Sequence, residues 1–315
     1  MDVESTEYRR SFEVGEEDAR ERLDRFVERH LPAVSRGRIR AAIGAGSVTV
    51  DGAALESGRR LRAGQVVEIR LDAPPVEAMA PEPIPISVVY EDDAFLVVDK
   101  PAEMFAHPTH RVHSGTLLNA VAFHLNSTAA PRDHIKPLLV HRLDRATSGL
   151  LVVSKTARAH NSLAKAWSER RVAKTYLALV CGATPEAAGV VDAPIGGTRD
   201  QNPGFRVMED GRPARTRYRA LSARGPFTLV ELEPLTGRTN QLRIHMDHVG
   251  APIAGDDLHG LSNIARFRER NPAAPYPTRL FLHAWRLAFE HPTTREPVAL
   301  EAPLPPALAE FLDRL

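Results

Sequence analysis

His141-Arg142-Leu143-Asp144-Arg145-Ala146-Thr147-Ser148-Gly149-Leu150 follows the apolar run Leu138 to Val140 and leads into a second, Leu150 to Val153. The pattern reads as strand, polar turn, buried strand, with Asp144 presented at a strand end. Arg142 and Arg145 flank it, and nearby positive charge favours an ionised carboxylate. Taken alone, the segment suits a nucleophile or a general base, and it equally suits a surface Arg–Asp pair, which the spacing by itself favours.

Working outward, Thr156 is expected to cap a helix through Arg170 with Leu163, Ala166 and Trp167 on its apolar side. Thr175 to Val180 reads as a strand. Arg215 to Leu221 and Thr228 to Leu232 read as a pair turning at Gly225-Pro226. Upstream, Val88 to Tyr90 and Phe95 to Val98 flank Asp92-Asp93 as a hairpin, and downstream Thr239 or Asn240 starts a helix through His248. This order is not a regular βαβ alternation, so the fold class expected is α+β.

Pro74, Pro75, Pro81, Pro83 and Pro85 mark residues 74–85 as a linker, because closely spaced prolines stiffen the chain and block regular structure. It separates a large C-terminal domain, 86–315, from a small N-terminal one, 18–73, preceded by an acidic, disordered-looking tail, 1–17. In the small domain Leu23, Phe26 and Val27 recur at helical spacing. Ser35 is expected to cap a second helix carrying Ile39, Ala42 and Ile43, ended by Gly44 and Gly46. Val48 to Val50 and Val66 to Arg70 read as strands, and Asp51-Gly52 as a tight turn.

The chain has 315 residues with a formal net charge of +1, so total charge does not point to nucleic acid. Charge placement is more informative: Arg29 to Arg62 holds seven Arg and two acids, and Arg132 to Lys174 ten Lys or Arg and three acids. Such zones track phosphates or form solvated faces. The single cysteine, Cys181, follows the apolar run Leu177 to Val180 and is expected to pack in the core. The polar N-terminus has no signal-peptide core and no apolar run approaches the ~20 residues of a membrane span, so a cytoplasmic protein without a membrane partner is expected. No phosphate-loop or dinucleotide fingerprint is present, so no nucleotide cofactor is expected.

The His-Arg-Leu-Asp and Thr-Ser-Gly of the opening segment closely resemble the catalytic motif of the RluA-type pseudouridine synthases. Further matches follow in order over about residues 88–289: Tyr90 with Val97-Val-Asp-Lys100-Pro101 and His107-Pro108; Lys174-Thr-Tyr176-Leu-Ala-Leu-Val-Cys-Gly182; Gly237-Arg238-Thr-Asn-Gln-Leu-Arg243-Ile-His245, then Gly255-Asp256; and Leu280-Phe-Leu-His-Ala284. Residues 18–72 resemble the small RNA-binding domain named after ribosomal protein S-four. The departures are Asn240 in place of the family's usual His, Asp257 and His259 in place of Pro and Tyr, and Glu103 where Gly is common.

The resemblance implies a catalytic domain with a mixed, largely antiparallel sheet and flanking helices, plus a small N-terminal α+β RNA-binding domain. It implies isomerisation of uridine to pseudouridine in structured RNA, with no cofactor and no metal. Asp144 takes the role of catalytic carboxylate, Tyr176 that of the tyrosine that stacks on the base, and Arg243 that of the arginine paired with the carboxylate. Arg142, His141, Thr147, Arg238, Gln241 and Leu282 are expected against the substrate, and Arg36, Arg38 and Arg40 against RNA phosphates. The appended module leans the target towards large-subunit ribosomal RNA and leaves transfer RNA open; a monomer is expected. Two other classes remain: a non-catalytic RNA-binding or ribosome-assembly factor on the same fold, and a metal-dependent nuclease using His245, His248, Asp256, Asp257 and His259.

Overall fold

The structure, a computed structural model, describes residues 8–31, 34, 36–71, 80–109, 112–128, 134–198 and 204–315. Contacts divide the chain into a smaller unit, Met1–Ala80 with Pro108–Ser114, and a larger one, Pro81–His107 with Gly115–Leu315.

In the smaller unit, strand β1 (Tyr8–Glu13) is followed by helices α1 (Leu23–His30) and α2 (Arg36–Gly44) and strands β2 (Val48–Val50), β3 (Ala53–Ala54) and β4 (Val66–Leu71). The sheet order is β1-β4-β2-β3. Leu23, Phe26 and Val27 of α1 and Ile39 and Ile43 of α2 bury their apolar stripes against Val48, Val50, Val67 and Ile69. Asp51 and Gly52 both have positive φ, the conformation that a two-residue hairpin turn requires. Ser35, the expected cap of α2, lies outside the described residues.

One expectation is corrected here. Residues 8–13, read as part of the tail, form a strand antiparallel to all of β4. Only Tyr8 and Phe12 of this edge strand are partly buried, so its charged residues hide it from a search for alternating apolar positions. The second half of the proline-rich stretch also differs from a free linker. The Glu82 backbone N–H donates to the Asn119 carbonyl and its carboxylate accepts from Gly115, within the larger unit. Residues 74–79 lie outside the described residues.

In the larger unit the chain runs through β5 (Ser87–Glu91), β6 (Phe95–Lys100), α3 (Leu117–Asn126), β7 (Leu138–Leu139), β8 (Ser148–Ser154), α4 (Ala157–Ser168) and β9 (Ala173–Cys181). It continues through β10 (Ala188–Asp192), β11 (Ile195–Thr198), β12 (Gly204–Val207), β13 (Arg215–Arg224), β14 (Phe227–Pro234), α5 (Gln241–His248), α6 (Leu261–Arg270), β15 (Leu282–Glu290), β16 (Pro297–Glu301) and α7 (Pro306–Asp313). A ten-stranded sheet has the order β10-β13-β14-β9-β15-β8-β6-β5, with β16 on β15 and β7 on β8. Only the β15–β8 ladder is parallel among the described strands, so the sheet is mixed and largely antiparallel.

Thr156 caps α4 as expected, accepting from the Ala159 N–H. The helix α3 had no signal of its own: Leu117, Leu118, Ala120, Val121 and Ala122 are all buried, so its apolar residues do not fall into one stripe. A Thr116–Asn119 capping box starts it.

The parallel contact is short, His283 to Ser148 and Ala284 to Gly149, and Gly149 makes it possible. Its φ is +114°, and a Cβ there would lie 2.3 Å from the Ala284 carbonyl oxygen. Gly149→Ala is expected to lower stability by about 3 kcal/mol, from overpacking and left-handed strain together. Urea unfolding followed by tryptophan fluorescence measures this, because both tryptophans, Trp167 and Trp285, belong to the larger unit. A loss below about 1 kcal/mol would show that the two strands separate easily at this point.

Candidate active site

Asp144 lies in the turn between β7 and β8, with its carbonyl accepting from the Thr147 N–H and Leu143 and Thr147 buried on either side. Its side chain is half-buried and makes no ion pair among the described residues. The flanking arginines do not neutralise it. Arg145 turns to Glu103, 2.9 Å away, and Arg142 is exposed at the cavity wall. Glu103 has φ +62°, a conformation that glycine adopts without the steric cost a side chain brings.

Lys100, at the end of β6, anchors this turn from below. It is fully buried, and its ammonium donates to the carbonyls of Pro101 (2.7 Å), Met104 (2.9 Å) and Arg145 (3.2 Å). Burial pushes its pKa down to about 8, against the opposing charge of Asp144. The charged form is therefore lost as pH rises through about 8, and the three carbonyls lose their strongest donor. In the unfolded chain Lys100 keeps its proton to about 10.5, the ordinary value, so between these values the unfolded state holds more protons and this group's contribution to stability rises with pH. Turnover is thus expected to fall through an apparent pKa of about 8 while this group adds stability. A pH–rate profile alongside urea unfolding at pH 7 and 9 tests this, and a Lys100→Met profile retaining the same alkaline limb would sink it.

His141 does not face the cavity as a free polar group. Its Nε2 accepts from the Val152 N–H at 3.1 Å and its ring stacks on Trp167 at 4.8 Å between centroids. Burial, with the charge of Lys174, pushes its pKa down to about 3, so it is a neutral wall residue. Tyr176 in β9 is held between Leu232 of β14 and Ala284 of β15. Burial, and then the charge of Asp144, raise its pKa above the ordinary range for a phenol. It presents a ring and an O–H, not a phenolate.

Arg243 sits in α5, 4% exposed, but its direct partner is not Asp144. Its Nε donates to Asp256 at 2.7 Å and its Nη2 to the other oxygen of Asp256, with Asp257 at 3.5 Å and Asn240 Oδ1 at 3.3 Å. Asp256 also accepts from the Leu258 and His259 N–H groups. Burial works to lower the Arg243 pKa, but the hydrogen bonds and charge of Asp256, then the charges of Asp144 and Asp257, raise it on balance. The expected Arg243–Asp144 pair is corrected to a two-pronged Arg243–Asp256 pair that keeps a positive charge near Asp144. Gly255 makes the turn that brings Asp256 in: its φ is +76°, and a Cβ there would lie 1.9 Å from the Arg279 carbonyl oxygen.

Gln241, expected against the substrate, lines the cavity and is also held by internal hydrogen bonds. Its amide donates to the Arg215 carbonyl and Thr216 Oγ1, and accepts from Thr236 Oγ1 and the Arg238 N–H. Every hydrogen bond its amide group can make is accounted for. His245 is also committed, Nδ1 to Thr216 Oγ1 and Nε2 to the Ala193 carbonyl, so neither nitrogen is turned to a metal.

Asp144, Arg142, Thr147, Tyr176, Arg238, Arg243 and Leu282 all line one cavity of about 310 Å³, together with His141, Gln241, Lys174 and Trp167. Leu282 is 3% exposed and forms part of its apolar wall. Lys100, Lys174 and Trp167 had been given no role in the site, and Asp256 only one in the metal-dependent alternative. Lys100 and Lys174 lie inside the matched motifs, and Asp256 follows one of them, so a buried charge within a motif was the available signal. In the smaller unit, Arg38 and Arg40 are exposed on α2, with Arg40 3.6 Å from Asp24; the Arg36 side chain lies outside the described residues.

The RNA pseudouridylate synthase family model matches residues 94–248, and the S4 domain model matches residues 21–67. An uncharacterised RNA pseudouridine synthase of Bacillus subtilis is 35% identical over 300 residues, covering 95% of this chain and 96% of that protein. A protein of Nitrosomonas europaea named ribosomal large subunit pseudouridine synthase D is 38% identical over 298 residues, covering 93% and 84%. The solved human RNA pseudouridylate synthase domain containing 1 superposes with a TM-score of 0.56 at 29% identity, covering 73% of this chain and 89% of that one. With likeness along nearly its whole length to relatives more than 30% identical, the chain belongs to the RNA pseudouridylate synthase family and carries an S4 domain.

Proposed function

We propose that this pseudouridine synthase acts on large-subunit ribosomal RNA, with Asp144 as the reacting carboxylate. The observation that carries the assignment is Asp144 itself, half-buried, without an ion pair among the described residues, and the one carboxylate among the residues lining a cavity that also holds Arg142, Lys174, Arg238 and Arg243. The N1–C1′ glycosidic bond of uridine must break and a C5–C1′ bond form, while the C5 proton leaves and N1 gains one. A carboxylate serves this as a nucleophile towards the base or as a base towards the ribose. Tyr176 supplies a flat apolar face for the turning uracil, and Arg142, exposed at the rim, a planar cation for the RNA around the extruded nucleotide.

The relative named for the ribosomal large subunit supports the choice of RNA. Arg36, Arg38 and Arg40 of the smaller unit, which includes the strand Tyr8–Glu13, add phosphate contacts, and the larger unit, from Pro81, is the catalytic one. The protein works as a monomer in the cytoplasm. Pseudouridine mapping of total RNA from cells with and without the gene is expected to show loss at one or a few large-subunit positions. Loss confined to transfer RNA would overturn the choice of RNA, and no loss anywhere the reading itself.

A further inference from the structure

A second, larger cavity of about 1310 Å³ adjoins the first, and the two share Trp167, Lys174, Pro234, Thr236, Gly237 and Arg238 as walls. Six cations line it: Arg170, Arg171, Lys174, Arg212, Arg238 and Arg295. Only two acids do, and both are matched, Glu233 by Arg217 and Glu290 by Arg295. Arg171 is paired with Glu169. Arg170, Lys174, Arg212 and Arg238 make no ion pair among the described residues, so the groove carries a net positive charge and four cations with no carboxylate paired to them. Burial lowers the Lys174 pKa, as expected of an ammonium enclosed without a carboxylate.

An extruded nucleotide stays covalently joined to both neighbours, so the strand must leave the small cavity through a wall that can take phosphates. The shared wall formed by Lys174 and Arg238 meets that need, and beyond it the groove offers Arg170 and Arg212 with the indole of Trp167 alongside. Cations tracking a backbone, with an aromatic face for a base, are the elements of single-strand binding. Resting on the proposed function, we propose that this groove holds the single-stranded RNA flank on one side of the target uridine, with Arg170 and Arg212 on its phosphates.

The test is the double variant Arg170→Gln/Arg212→Gln, whose residues are both exposed and lie outside the smaller cavity. The full chain is compared with wild type on a large-subunit ribosomal RNA transcript containing a mapped uridine, and on versions trimmed close to that uridine on one flank at a time. On the full transcript, affinity near 0.15 M salt is expected to fall about tenfold, and the log–log salt slope to drop by roughly 1.4 to 1.8, two contacts at 0.7 to 0.9 each. The single-turnover rate at saturating enzyme should hold. Trimming one particular flank should abolish the difference between variant and wild type. An unchanged slope, which would leave an acidic protein the better fit to the groove, overturns the proposal, and so does a difference that survives trimming of either flank. Conversion by wild type reports on the proposed function and the slope difference reports on the groove, so either can fail without the other.

Discussion

Asp144→Asn is expected to lower single-turnover isomerisation by at least about 10³-fold, roughly 4 kcal/mol of barrier, with RNA affinity changed less than about threefold. The substitution keeps size and removes the charge. The folded structure should tolerate it, because Asp144 makes no ion pair among the described residues and its carbonyl, not its side chain, closes the turn. Tyr176 cannot take over as base, since burial, the larger cause of its raised pKa, still holds its phenol protonated in the variant. Residual turnover within tenfold of wild type would place the chemistry elsewhere in the cavity.

The second large effect concerns Arg243. Its side chain is 5% exposed and that of Asp256 1%, so Arg243→Met strands a buried carboxylate and is expected to lower stability by about 3–5 kcal/mol. Adding Asp256→Asn removes the stranded charge while keeping an acceptor for the Leu258 and His259 N–H groups. The double variant is therefore expected to be more stable than Arg243→Met alone, a coupling that tryptophan-monitored unfolding of the four-member cycle measures. Turnover should not return with stability, because the positive charge near Asp144 is still missing. A double variant restored in both would make Arg243 purely structural, and one recovering neither would mean that Asp256 matters for more than this pair.

The contrast between Asp144 and Arg243 shows what the sequence could and could not disclose. The Asp144 turn, the Tyr176 strand and the start of α5 are local, so apolar runs and turn residues reveal them within ten positions. The partner of Arg243 depends on a turn thirteen residues away whose close approach to Arg279 no pattern encodes. Gln241 illustrates the same limit: its place in a matched motif suggested substrate, whereas its partners lie on β13, at Thr236 and on the Arg238 backbone. Strand β1 was hidden for the opposite reason, since an edge strand with two half-buried residues differs little from a polar tail.

The place of β15 has a consequence for biosynthesis. It lies between β9 and β8, so a nascent chain that has not reached residue 282 carries two part-sheets, each ending in an unpaired edge of buried residues. Contacts spanning more than a hundred residues form late and slowly, and open strand edges invite pairing with other chains. Asp144 and Tyr176 are translated well before Leu282, yet the pocket they share is closed only when that last central strand zips the halves together. Until then the ribosome carries a chain with its chemistry aboard and no chamber to use it in, and one that is most exposed to chaperones and aggregation while that gap stays open.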